Sequence, residues 1–92
     1  MWNERDWQAL GQMVPWFYFH LFDDLDVVDD EGIELPDLET ARSHAVRCAR
    51  VTFAETAKDE GRVVLHHRID IADEQGAVLE TVRFGDAVKV EE

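Results

Sequence analysis

The chain reads as an α+β domain of ββαββ order: a four-stranded antiparallel sheet with one long helix packed on one face. Three observations carry this expectation. A dense aromatic run, WFYFHLF, occupies residues 16 to 22 between Pro15 and an Asp pair, which marks a strand bounded by turn formers. After Asp37 the apolar positions recur every three to four residues for about six turns, the period of a helix. Two alternating segments then flank an Asp-Glu-Gln-Gly turn at residues 73 to 76, the pattern of a hairpin.

Residues 1 to 12 hold Trp2, Trp7 and Leu10, with Asn3 placed to cap a short helix. Such a helix is too short to persist alone in water and must dock through its indoles or fray. Residues 13 to 84 are read as the single domain. Pro15 stops any helix entering the next element.

Alternation along residues 16 to 22 puts Trp16, Tyr18, His20 and Phe22 on one face and Phe17, Phe19 and Leu21 on the other. Both faces are apolar, so the strand belongs in the middle of the sheet. Residues 23 to 39 follow with nine acids and no base. Within them Val27 and Val28 are expected to return as a short strand. Asp30, Glu31 and Gly32 form a turn in which Gly32 takes a positive φ, because glycine alone does so without steric cost. Residues 33 to 35 lead, extended, into the helix.

Asp37 is the expected N-cap, with Pro36 just outside, and the helix runs from residue 38 to about residue 58. Leu38, Ala41, Ala45, Cys48, Ala49, Thr52 and Thr56 form its buried stripe, widened by Val46 and Phe53. The small residues let the helix axis approach the sheet closely. Glu39, Ser43, Arg47, Arg50 and Ala54 are assigned to water, and Gly61 ends the helix. Arg42 lies at the edge of the stripe, where its stem packs on the sheet and its guanidinium is expected to meet a carboxylate of the acidic stretch. Residues 63 to 71 and 78 to 84 are the last two strands, with His67, Ile69 and Ile71 on one face and His66, Arg68 and Asp70 on the other. Residues 85 to 92 read as a polar tail that frays.

Three segments together, residues 14 to 21 (VPWFYFHL), residues 30 to 42 (DEGIELPDLETAR) and the turn at 73 to 76, make the chain resemble domain-of-unknown-function family 6894, small bacterial proteins. The middle segment is the specific one. The resemblance implies a ββαββ domain and no catalytic residue, substrate or cofactor. Members commonly begin where Met13 stands, so the resemblance implies that residues 1 to 12 are an N-terminal extension, either a native capping segment or the product of an upstream start. In order of elements alone the chain is also similar to antitoxin domains of the HicB type, although their Pro-Gly-Cys segment before the helix is absent here.

Composition narrows the function. Nine basic and 21 acidic residues give a net charge of −12, which disfavours nucleic acid and anionic membranes as partners. A single cysteine, Cys48, excludes an internal disulfide, and a cytoplasmic location is expected. The acidic stretch fails as a calcium loop, since a loop starting at Asp24 has Val28 at its fifth place and Asp29 where glycine is required. His44 and Cys48 share a helix flank but lack two further zinc ligands, and no third group orients them as base and nucleophile. His20, amid aromatics, is read as a strand histidine bonded at the sheet surface. No metal, cofactor or catalytic residue is expected. The expected function is a noncatalytic module that forms a homodimer or binds a protein through an aromatic sheet face, with Trp16, Tyr18 and Phe22 as contacts and Gly32, Asp37 and Arg42 as structural residues. The alternative is an antitoxin-like regulatory domain whose acidity neutralises a basic partner protein.

Overall fold

The structure, a computed structural model, describes residues 15 to 91; the reading of residues 1 to 12 lies outside them. The aromatic run forms β1 (Trp16–Phe22). Two short strands, β2 (Asp26–Val27) and β3 (Ile33–Glu34), both pair antiparallel with it. β4 (Arg68–Ala72) pairs antiparallel with β1, and β5 (Val78–Arg83) pairs with β4. The sheet therefore has five strands rather than the four expected, in the order β2-β1-β4-β5 with β3 also on β1.

The extra strand has a local cause. Leu21 faces Val27 and Phe17 faces Ile33, so the five residues 28 to 32 lie opposite only three, 18 to 20. The surplus cannot join the ladder, and the returning chain is split into β2 and β3 around a bulged segment. The first pairing also starts one residue earlier than expected, at Asp26 rather than Val27.

Helix α1 (Leu38–Glu60) is capped by Asp37, whose Oδ1 accepts from the Thr40 N–H at 2.7 Å. Gly61, at φ +66°, closes it by donating its N–H to the Ala57 carbonyl at 3.0 Å. Ala41, Ala45 and Ala49 are fully buried and pack with Phe17, Ile69, Ile71, Val82, Phe84 and Ala87 in the core. Phe19, Leu21, Val46 and Phe53 lie against its rim. The helix covers the sheet face that carries Phe17, Phe19 and Leu21.

Strand β4 begins at Arg68, five residues later than the alternation from residue 63 suggests. Both of its neighbours run out there: Arg68 faces Phe22, the last residue of β1, and Arg83, the last of β5. Ahead of that point the carbonyls of Leu65 and His67 accept instead from the N–H groups of Gly85 and Phe84, at 2.9 and 2.8 Å. Those donors belong to a short helix, α2 (Phe84–Ala87), in place of the expected fraying tail. It forms because Phe84 and Ala87 are buried against the core, and because Arg50 Nε, assigned to water from the sequence, donates to the Ala87 carbonyl at 2.7 Å. No helix of the described residues is long and apolar enough to cross a membrane.

Candidate functional site

Registers fix what the sheet presents on the side away from α1. Tyr18 faces Ala72, His20 faces Asp70 and Phe22 faces Arg68 across the β1/β4 pair. Trp16 faces Glu34 of β3. Since cross-strand partners share a face, this side carries an aromatic file of Trp16, Tyr18, His20 and Phe22 bordered by charged and small residues. Trp16 is 41% exposed, whereas Tyr18, His20 and Phe22 are half-buried. Among the described residues no second layer packs here, since both helices lie with the core.

Each aromatic is positioned by a different device. Tyr18 lies over Gly32, where an added Cβ would come within 2.8 Å of the ring, and Gly32 has φ +74°. That glycine is thus required twice, by its backbone and by the ring above it. Phe22 is covered by the Arg68 guanidinium at 4.3 Å from the ring centroid, a cation–π arrangement. Arg68 Nε also lies 3.4 Å from Asp70 Oδ1, which accepts from the Thr81 hydroxyl at 2.8 Å.

Asp29 organises the bulged segment beside this file. Its carboxylate accepts from the N–H groups of Phe19, Glu31 and Gly32 at 3.1, 3.0 and 3.2 Å. Its own N–H donates to His20 Nδ1 at 3.0 Å, which fixes that nitrogen as the acceptor and places the ring proton on Nε2. Partial burial of the carboxylate raises its pKa, but the three backbone donors outweigh burial and hold it below the ordinary value. Nothing in the sequence singles out Asp29 among nine acids except its position three residues before Gly32.

The remaining candidates lie elsewhere. Arg42 Nε pairs with Glu80 Oε1 of β5 at 2.6 Å, not with the acidic stretch as expected; Glu80 alternates onto the helix side of the sheet, directly beneath the first turns of α1. That carboxylate hydrogen bond raises the Arg42 pKa further. The acidic stretch is met instead by Arg62, whose Nη atoms reach both Asp24 oxygens at 2.9 and 3.4 Å. The Arg62 bond lowers the Asp24 pKa, and buried His67 places Nε2 3.4 Å from the same carboxylate. Asp37 serves only to cap α1, and its bonds with Thr40 lower its pKa.

His44 Nε2 and Cys48 Sγ are 3.5 Å apart, with Phe19 edge-on to the imidazole at 4.7 Å. Burial pushes the Cys48 thiol pKa up against the opposing pull of Arg47, which lowers its thiolate fraction. His66 is exposed and His67 buried, their rings 5.1 Å apart. Among the described residues no three His, Cys, Asp or Glu side chains gather as metal ligands.

Neither the curated proteins nor the solved structures yield a match to this chain. A family model described as a domain of unknown function, DUF6894, matches residues 16 to 85, a span running from the first residue of β1 into α2 and taking in both the aromatic file and the Asp29–Gly32 bulge. The chain belongs to the DUF6894 family.

Proposed function

We propose that the protein is a noncatalytic interaction module that pairs with a second copy of itself through the open sheet face. One observation carries this reading. Trp16 stands 41% exposed at the head of a file of aromatics on the side of the sheet opposite α1, and a contiguous aromatic patch of that kind favours burial against another surface. Trp16 and Tyr18 each join a large apolar body to a polar tip, which suits an interface that is part apolar and part wet. A twofold pairing needs no additional molecule and sets the same patch against itself. The reading takes the protein as cytoplasmic and in need of no cofactor.

Light scattering on the full chain over a wide concentration range tests it. The wild type should rise from the monomer to the dimer mass, and Trp16→Ser should shift that transition to at least tenfold higher concentration, about the effect of losing one central aromatic anchor. A wild type that remains monomeric at high micromolar concentration would refute the reading.

A second reading, neutralisation of a basic protein partner, is favoured by the exposure of Asp24, Asp26, Asp30, Glu31 and Glu34 on one returning segment. It predicts a partner complex that dissolves steeply with salt, whereas pairing through aromatics does not.

A further inference from the structure

Strands β4 and β5 set Arg68 and Arg83 directly opposite one another. Like charges facing across a strand pair repel, and the surroundings relieve this only in part. Arg68 is drawn toward Asp70 and over Phe22, while Arg83 makes no ion pair among the described residues. Both side chains line one solvent-open groove of about 560 Å³, together with Leu65, His66, Gly85 and Asp86. That volume falls in the range of small-molecule sites, about 300 to 1,000 Å³.

The wall chemistry selects the ligand. Gly85 N–H is already spent on the Leu65 carbonyl, so it is no donor to a ligand, whereas the guanidinium groups of Arg68 and Arg83 are. A Cβ at position 85 would come within 3.3 Å of Leu65, so glycine keeps this wall thin. With Asp70 paired to Arg68 and Asp86 on the wall, the two guanidinium groups are balanced in charge, so what the site offers is two forks, that of Arg83 in no ion pair, within a chain of net charge −12. With no excess charge at the site and the field of the whole chain opposing anions, a dianion is disfavoured, and a monoanion on the unpaired Arg83 fork is the best match. Guanidinium forks match the plane of a carboxylate, and Leu65 offers an apolar surface to whatever the carboxylate is attached to.

We propose that this groove binds a small organic monocarboxylate, gripped between Arg68 and Arg83 with its apolar part against Leu65. Every group that lines it comes from one copy, so the site is complete without self-association, although Arg68 also lies over Phe22 on the face proposed for pairing.

Amide-resolved NMR titration of the full chain with butyrate and with benzoate tests the proposal, with inorganic phosphate as a further arm and chloride at matched ionic strength as the control. Saturable shifts are expected at Arg68, Arg83 and Gly85 with a carboxylate. Arg83→Gln should weaken the apparent affinity about tenfold or more, as should Arg83→Lys, which keeps the charge and loses the fork. Arg47→Gln, on the outer face of α1, should bind as the wild type does. Shifts that do not saturate or that chloride reproduces, unchanged affinity in Arg83→Gln, or tighter binding of phosphate than of either carboxylate would each overturn it.

Discussion

At the scale of single residues the bulged segment turns on two side chains, one of them absent. Asp29 satisfies three backbone N–H groups that the interrupted ladder leaves without carbonyl partners, so Asp29→Ala should lower stability by about 1–3 kcal/mol in chemical denaturation. Its pKa lies below the ordinary Asp value in the fold. A carboxylate depressed in this way stabilises the native state above the ordinary value, and that contribution is lost as pH falls through the lowered one. Asp29→Asn should therefore flatten the acid limb of the stability profile, and an unaltered limb would count against the network. Gly32→Ala forces a Cβ into both a positive φ and the Tyr18 ring, and should cost more than about 1 kcal/mol. Gly32 was readable from the sequence because one residue type alone suits its backbone. Asp29 was not, since its role depends on a register shift that composition does not encode.

At the scale of elements the helix is the part most legible from sequence, because its cap, period and terminating glycine all point the same way. Ala45 is fully buried in the small-residue stripe, and Ala45→Leu should destabilise by roughly 1–3 kcal/mol through overpacking, read as a lowered melting temperature. A variant melting with the wild type would mean that the stripe does not face the sheet. The strands were legible in their alternation and less so in their ends. Residues 63 to 67 alternate like a strand but meet no partner strand, since β1 and β5 both finish opposite Arg68. Likewise α2 hid across the end of an expected strand and the start of a polar tail, because only Phe84 and Ala87 of its four residues are buried. The outer edge of β5 carries exposed Val78 and Leu79, but the register shift beside Ala72 distorts it, a feature that discourages edge-to-edge pairing.

At the scale of the molecule, charge opposes both folding and pairing. A net charge of −12 in 92 residues makes self-repulsion a standing cost, so moderate salt should raise the melting temperature and tighten a dimer, in which the charge doubles. Calcium should act no better than magnesium at equal concentration, and a shift with calcium alone would reveal a metal site in the acidic stretch. The topology left one sheet face beneath α1 and the other without a layer among the described residues, and this much followed from a central aromatic strand in a chain with a single long helix. Which surface closes the open face did not follow, because an aromatic patch is complementary to many others. The most direct measurement is an isotope-filtered NOE experiment on a mixture of labelled and unlabelled full-length chains at a concentration that favours association. The account expects intermolecular contacts from the Trp16 indole and Tyr18 ring to the same face of the second copy; contacts confined to Val78 and Leu79 of β5, or none at all, would contradict it.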